Sequence, residues 1–260
     1  MVVFFDIDGT VVDNATQIIP ESTREAIRLL RQNGHLPVVN TGRPYSHIDP
    51  RIRAMDFGGW ICACGMEVIL DGQFLHKDYP TLEQCRQVID LSHRCGMMFQ
   101  AEGEGELYYD ADMTYTGNAA VEAERLTKKG IRVIPYQQLE ACHFSKFVTY
   151  DTPGCQREFF IQAVAPVYEA IVRSGTMLEF VKRGNSKARG MERLLQTLQV
   201  SKADTFAIGD SENDLPMFAL AGTTICLGDG VSMLKEAADF VTDAVLEDGI
   251  YNALRHFGLI

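Results

Sequence analysis

Short apolar runs that end abruptly in polar clusters are the feature that most constrains the fold of this chain. Val2–Phe5 is continuously apolar and is followed at once by DIDGT. Leu36–Asn40 is followed by TGRP, and Thr205–Ile208 is followed by GDSEND. Runs of this length, with no polar alternation, predict strands that are covered on both faces, as in a parallel sheet.

Helical periodicity lies between these runs. Ser22 and Glu25 fit a capping box that predicts the start of a first helix, and Ser186 can cap a later one. The alternation of strand, helix and strand predicts an α/β fold, a doubly wound parallel sheet with helices on both faces. In the middle of the chain, neighbouring strand-like runs around Gly103-Glu104-Gly105 predict a hairpin within an inserted α+β unit. We therefore expect a core of residues 1–80 and 183–260 and an insertion of residues 81–182.

Composition excludes several classes of partner. The 260 residues carry a net charge of -11, whereas binding nucleic acid or an anionic membrane surface requires clustered Lys and Arg. No stretch approaches the ~20 apolar residues of a membrane helix. The seven cysteines form no CxxC pair, which favours reduced thiols and a cytoplasmic protein.

The polar clusters support a specific chemistry if they converge. The carboxyl ends of parallel strands form the ligand-binding edge of such sheets. Asp6, Asp8 and Asp210 offer the hard oxygen ligands that Mg²⁺ prefers. One carboxylate can attack phosphorus while a second moves the proton. Thr41 and the backbone N–H of Gly42 can hold phosphoryl oxygens, and Lys187 can supply positive charge, which predicts phosphoryl transfer.

These residues resemble a known family. DIDGT, NTGRP, NSKARGM and GDSENDLPMF, in this order, are similar to the motifs of the haloacid dehalogenase superfamily of phosphatases. The long insertion and the ending EDGIYNALRHFGLI resemble its Cof-type subgroup. The resemblance covers nearly the whole chain and is strongest in residues 1–72 and 182–260.

The resemblance implies a role for each matching residue. Asp6 would be the nucleophile and Asp8 the general acid and base. Magnesium would be bound by the Asp6 carboxylate, the Asp8 backbone carbonyl and Asp210. The residues that would contact phosphate are Thr41, Gly42, Lys187 and Asn213. Asp214 would support Lys187 or metal-bound water from behind the site. From its position in the sequence alone, we add Arg43 as a substrate contact. The insertion would be the large α/β cap that selects the substrate.

Three functions compete on these grounds. The first is Mg²⁺-dependent hydrolysis of a phosphate monoester of a small metabolite, with a sugar phosphate preferred, by a monomer or homodimer. The second is a phosphomutase, for which the basic residues between Arg125 and Arg132 hint at a second phosphate site. The third is a silent magnesium and phosphate sensor, which the intact pair Asp6 and Asp8 disfavours.

Relatives commonly have Asn-Gly where this chain has Cys64-Gly65, so a contact made by that asparagine amide is in doubt.

Overall fold

The structure is a computed structural model and describes residues 1–115, 117–173 and 175–260. Within these residues the chain divides into two compact units. The segments of the first unit are Met1–Arg43, Pro50–Lys77 and Ser186–Ile260, and those of the second are Pro44–Asp49 and Asp78–Asn185. None of the helices in this described part of the chain is both long enough and apolar enough to cross a membrane.

The first unit is built on one sheet, whose strands we number along the whole chain. They are β1 (Val2–Phe5), β2 (Leu36–Asn40), β3 (Gly59–Cys62), β4 (Glu67–Leu70), β5 (Gln73–Lys77), β12 (Thr205–Gly209), β13 (Thr223–Cys226) and β14 (Phe240–Val241). Their order is β14-β13-β12-β1-β2-β3-β4-β5, and neighbours are parallel from β14 to β3. The buried runs expected at β1 and β2 are confirmed with the same bounds.

The strands at the β5 edge differ from the expected parallel pattern. β4 pairs antiparallel with both β3 and β5. The connections on either side of β4 are short turns, and a parallel return needs a crossover of a dozen or more residues. The parallel arrangement therefore ends at β3, and the last two strands form a hairpin.

Helices cover both faces of this sheet, which confirms the doubly wound fold. They are α1 (Glu21–Gln32), α2 (Pro50–Arg53), α6 (Lys187–Leu198), α7 (Leu215–Phe218), α8 (Ser232–Ala237) and α9 (Gly249–His256). Phe4 of β1 shares a buried apolar cluster with Met191 of α6 on one face. On the other face, the ring of Phe206 in β12 lies 5.3 Å from that of Phe257, which follows α9.

The capping box expected at the start of α1 is wrong. The helix begins at Glu21, its N-cap is Pro20 with φ -58°, and no side chain caps it. Ser22 lies inside the first turn and so cannot be the N-cap, and the φ of -58° at Pro20 is the value that the proline ring imposes. The cap expected from Ser186 is confirmed, since its hydroxyl accepts a hydrogen bond from the amide of Arg189.

The second unit contains the other sheet and its own core. Its elements are α3 (Leu82–Arg94), β6 (Met98–Gly103), β7 (Glu106–Tyr109), α4 (Gly117–Lys128), β8 (Arg132–Pro135), β9 (Phe144–Tyr150), α5 (Arg157–Val164), β10 (Tyr168–Val172) and β11 (Met177–Lys182). The strand order is β10-β11-β9-β6-β7-β8, antiparallel except for β7 with β8. The expected hairpin around Gly103-Glu104-Gly105 is confirmed as β6 and β7. Stacked rings of Phe147 and Phe180, 4.6 Å apart, mark the core.

Candidate active site

Three neighbouring parallel strands end in the polar loops that the sequence singles out. β12, β1 and β2 lie side by side, and they run into Asp210, Asp6 and Thr41 respectively. Since all three strands are parallel, these loops lie at the same edge of the sheet. Lys187 enters this edge from the first turn of α6.

Lys187 joins two of the loops. Its Nζ lies 2.8 Å from Oδ1 of Asp6 and 2.6 Å from Oδ1 of Asp214, and all three side chains are buried. Its backbone carbonyl accepts a hydrogen bond of 3.3 Å from Nδ2 of Asn40, the last residue of β2. A buried lysine held at both ends in this way delivers its charge to a defined point beside the Asp6 carboxylate.

Asp214 supports this arrangement from behind. Its Oδ1 accepts from Lys187, and its Oδ2 accepts from the backbone amides of Asp210 and Ser211 at 3.0 and 3.1 Å. Both oxygens are thus engaged with the protein. The side chain orients Lys187 and shapes the loop that carries Asp210.

Asp210 is fixed by two residues of the first loop that sequence reasoning passed over. The hydroxyl of Thr10 donates to Oδ1 of Asp210 over 2.9 Å. Gly9 has φ +80°, and a Cβ on it would lie only 2.3 Å from Oδ2 of Asp210, so a larger residue would displace this carboxylate. Both residues belong to the DIDGT motif, so its threonine and its glycine were the sequence signals that could have identified them.

Asp6, Lys187, Asp210 and Asp214 form what we call the acid-rich cluster. Burial raises the pKa of Asp6 to about 8, aided by the neighbouring carboxylates and opposed by Lys187. Burial, with the charge of Asp214, raises the pKa of Asp210 to about 7. Burial alone would lower the pKa of Lys187, but the carboxylates of Asp214 and Asp6 outweigh it and raise that pKa. One lysine therefore does not neutralise the cluster.

The donor set of this cluster fits a divalent cation. Carboxylate oxygens of Asp6, Asp210 and Asp214 lie within 4.8 Å of one another. Both oxygens of Asp214 already accept hydrogen bonds from the protein, which favours Asp6 and Asp210 over Asp214 as metal ligands. A carboxyl group with a raised pKa is ionised more readily when a cation lies beside it. Carboxylate oxygens are the hard ligands that Mg²⁺ prefers, so such a cation would stabilise the ionised form of this cluster. The side chain of Asp8 turns elsewhere.

Arg43 holds the Asp8 carboxylate. Its Nε donates to Oδ2 over 2.6 Å, and its Nη2 donates to Oδ1. The Asp8 side chain is about one-third exposed (35%) and that of Arg43 is mostly buried (13%). Such a bidentate pair fixes the plane of the carboxylate. The structure thus places the expected proton carrier beside the residue that we expected to touch substrate.

Hydrogen bonds to the protein position two of the expected phosphate contacts, Thr41 and Asn213. The amide of Thr41 donates to the carbonyl of Ile61 over 2.8 Å, and its hydroxyl accepts from the amide of Arg43 at 3.3 Å. Oδ1 of Asn213 accepts from the Ser211 hydroxyl over 2.7 Å, which leaves the amide hydrogens of Asn213 to donate elsewhere. Gly42 lies between Thr41 and Arg43 and brings its N–H to the same loop.

The chain as a whole is similar to known proteins. Residues 3–254 match the family model described as haloacid dehalogenase-like hydrolase. The chain is 29% identical over 260 residues to YkrA of Bacillus subtilis (strain 168), covering 99% of this chain and 98% of that protein.

Two further relatives are described as phosphatases. The 5-amino-6-(5-phospho-D-ribitylamino)uracil phosphatase YitU of Bacillus subtilis (strain 168) is 24% identical, covering 97% of this chain and 95% of that protein. The structure of BT1666 from Bacteroides thetaiotaomicron, described among phosphatases of the haloalkanoate superfamily, superposes with a TM-score of 0.81 at 25% identity. It covers 100% of this chain and 95% of its own.

Proposed function

The chain belongs to the haloacid dehalogenase-like hydrolases and is a phosphatase of that type, and on this premise we propose that it hydrolyses phosphate monoesters of small metabolites with Mg²⁺ through a phosphorylated Asp6. The observation that carries the proposal is the buried Lys187, which pairs with both Asp6 and Asp214. Asp210 lies in the same cluster, where burial and the charge of Asp214 raise its pKa to about 7. A structural ion pair would need one acid for one base, whereas this cluster gathers more acids than its lysine can neutralise.

The first half-reaction would use Asp6 and Asp8. A carboxylate oxygen of Asp6 forms a bond to phosphorus as the bond from phosphorus to the ester oxygen breaks. Asp8 gives its proton to the leaving oxygen, so the alcohol departs neutral. Asp8 must first take up a proton on one oxygen, which then gives up its hydrogen bond from Arg43 and turns to the leaving oxygen, since both of its oxygens accept from Arg43.

The second half-reaction would return the enzyme to its starting state. Asp8, now ionised, takes a proton from water, whose oxygen attacks the phosphorus as the bond to Asp6 breaks. Inorganic phosphate leaves and both carboxyl groups are restored. Lys187 neutralises charge at Asp6, while Thr41, Gly42 and Asn213 donate hydrogen bonds to the phosphoryl oxygens. A bound Mg²⁺, held by Asp6, Asp210 and the Asp8 carbonyl, would neutralise negative charge on the transferring group.

The class of substrate that we propose rests on the relatives. YitU is named for a compound whose ribityl chain carries a phosphate ester, so we propose phosphorylated sugars or polyols as substrates here. The inserted unit, residues 81–182 by our prediction, would select among them. We further propose a cytoplasmic enzyme that works as a monomer or homodimer.

The structure offers little support for a phosphomutase. Such an enzyme needs a second phosphate site, and Arg125–Arg132 was the candidate basic cluster. Lys128 lies 2.7 Å from Glu124, and Arg132 pairs with Glu106. These basic residues already face acids, so we propose water as the acceptor of the phosphoryl group.

Phosphate release from a panel of sugar and polyol phosphates tests the proposal. We expect turnover with Mg²⁺, none with a chelator, and a loss of at least about 1,000-fold in Asp6→Asn. Asp56→Asn, which changes an exposed aspartate of the same unit, is the matched control and should retain full activity. Full activity in Asp6→Asn would overturn the mechanism.

A further inference from the structure

The turn between β3 and β4 has an unusual backbone. Ala63, Cys64 and Gly65 follow one another with φ of +49°, +55° and +86°. The left-handed region suits glycine, but alanine and cysteine adopt it at a cost because of their Cβ atoms. Ala63 and Cys64 are buried. Such a conformation persists only where its surroundings determine it, and often at functional sites.

One side of this turn is hydrogen-bonded to the Thr41–Arg43 loop. The amide of Ala63 donates to the carbonyl of Arg43 over 2.8 Å, and that of Cys64 donates to the carbonyl of Thr41 over 3.2 Å. Two successive amides thus reach the loop that flanks Gly42. The path of the Thr41–Arg43 backbone depends on the direction in which these N–H groups point.

The other side of the turn meets the helix that carries Lys187. A Cβ on Gly65 would lie 2.2 Å from the carbonyl oxygen of Ser186 and 3.1 Å from the amide nitrogen of Gly190. Nη1 of Arg193, in the same helix, donates to the carbonyl of Gly65 over 3.0 Å. The first turn of α6 therefore rests directly on the backbone of Gly65.

Building on the function proposed above, we propose that Ala63–Gly65 is a positioning element that sets the spacing between the Thr41–Arg43 loop and Lys187. Cys64 and Gly65 act through their backbone and touch no substrate. Asparagine adopts the left-handed region more readily than other residues with a Cβ. An asparagine at position 64 would adopt the same backbone conformation. A cysteine there instead of an asparagine therefore removes no catalytic group.

Two glycines allow a matched test. Gly65→Ala and Gly72→Ala both place alanine in a left-handed conformation, since Gly72 has φ +76°. Only the Gly65 variant creates a clash, because nothing lies within 4 Å of a Cβ at Gly72. With Mg²⁺ and an aryl phosphate, we expect kcat of Gly65→Ala to fall about 10- to 100-fold. The inhibition constant of inorganic phosphate should rise about tenfold, and Gly72→Ala should stay within about twofold of wild type.

The outcomes separate this proposal from the proposed function. Equal kcat and equal phosphate inhibition in the two glycine variants would overturn the positioning role while the phosphatase stands. If wild type releases no phosphate, the proposed function fails, and calorimetric binding of inorganic phosphate to the Mg²⁺-loaded protein decides instead. Weaker binding in Gly65→Ala than in Gly72→Ala supports the positioning role, and equal binding overturns it.

A second pair of variants serves if Gly65→Ala fails to fold. Cys64→Val places a β-branched residue, for which positive φ is most costly, in the turn. We expect it to lower kcat about tenfold or more and to raise the inhibition constant of inorganic phosphate, and we expect Cys64→Asn to restore both to the wild-type values. Equal kcat in the two Cys64 variants would overturn the proposal.

Discussion

Among the residues that the structure describes, two buried ionic clusters, one in each unit, differ in how far their acids are matched by cations. In the acid-rich cluster of the first unit, Lys187 faces Asp6 and Asp214, and Asp210 adds a further acid. The pKa of Asp6 is raised to about 8 and that of Asp210 to about 7. This cluster holds its carboxyl groups in an environment that disfavours their charge.

The second unit contains what we call the balanced cluster, in which two cations face two acids: Lys146 and Arg173, with Glu179 and Glu102. Oε1 of Glu179 lies 2.7 Å from Nζ of Lys146, and its Oε2 lies 2.5 Å from Nε of Arg173. Burial alone would raise the pKa of Glu179, but the two cations outweigh it and lower the pKa to about 2. Lys146 also lies 3.3 Å from Oε1 of Glu102.

The contrast between the acid-rich and balanced clusters shows what a buried carboxylate indicates in this fold. A carboxylate that already has its cations is a stable part of the structure, as Glu179 is. Carboxylates that are buried without enough positive charge are costly, and a cluster of them is explained by a ligand that supplies the charge. We therefore assign structure to the balanced cluster and metal-assisted chemistry to the acid-rich one.

Removal of the lysine from the acid-rich cluster should have the largest effect. We expect Lys187→Met to lower turnover at least about 1,000-fold, because Asp6 and the phosphoryl group lose their neutralising charge. The measurement is kcat with saturating Mg²⁺. Lys202→Met, at an exposed lysine of the same unit, is the control and should be unaffected. If the kcat of Lys187→Met were close to that of the control, the assignment of chemistry to the acid-rich cluster would be wrong.

Removal of the acid from the balanced cluster should act on stability. Glu179→Gln leaves Lys146 and Arg173 without their shared carboxylate, and we expect the free energy of unfolding to fall by about 2–4 kcal/mol. Urea unfolding at neutral pH measures this loss. An unchanged midpoint would show that Glu179 is not the structural partner that its contacts indicate.

The pH dependence of stability should have opposite signs in the two clusters. Without metal, Asp6 binds a proton with a pKa of about 8 in the folded state against 3.8 ordinarily. The folded state therefore binds more protons between these values, and the free energy of unfolding should decrease as pH rises through this window. The stabilising ionisation of Glu179, with its pKa near 2, is lost only as pH falls below its ordinary value of 4.5.

Urea unfolding of the chelated protein from about pH 5 to about pH 8 tests this sign. We expect a decline for wild type and a flatter profile for the double variant Asp6→Asn/Asp210→Asn. Added Mg²⁺ should also flatten the wild-type profile, because it favours the ionised carboxylates. A wild-type stability that rises over this range in the presence of chelator would contradict the assignment.

The pair of Arg43 and Asp8 should give the smallest effect. Arg43→Lys keeps the charge but loses the two parallel hydrogen bonds that orient Asp8. We expect kcat to fall about tenfold, well short of the loss in Asp8→Asn. Turnover and KM for one aryl phosphate measure the difference. Equal losses in Arg43→Lys and Asp8→Asn would show that Arg43 does more than orient the carboxylate.

Much of the first unit could be predicted because its signals are local. Val2–Phe5 and Leu36–Asn40 are apolar runs bounded by polar residues, and the structure has strands with those bounds. The order of β12, β1 and β2 then brings Asp6 and Asp210 to one edge. The match to the family model confirms the resemblance drawn from the motifs.

Other features depend on contacts between distant residues and left no local signal. The bidentate pair joins Asp8 to Arg43, and the balanced cluster joins Lys146 to Glu179 across strands. The left-handed backbone of Cys64 is set by its neighbours in space, because cysteine itself does not favour it. Sequence patterns report periodicity and local propensity, so these contacts emerged only from the structure.

Calorimetric titration of Mg²⁺ into the chelated protein tests the central claim most directly. If the acid-rich cluster holds protonated carboxyl groups that a cation must ionise, binding at about pH 7 should release about one proton per Mg²⁺. Titrations in two buffers of different ionisation enthalpy count that proton, and Glu179→Gln should release the same number. Release should vanish in Asp6→Asn/Asp210→Asn together with tight binding. Tight binding by wild type without proton release would contradict the account.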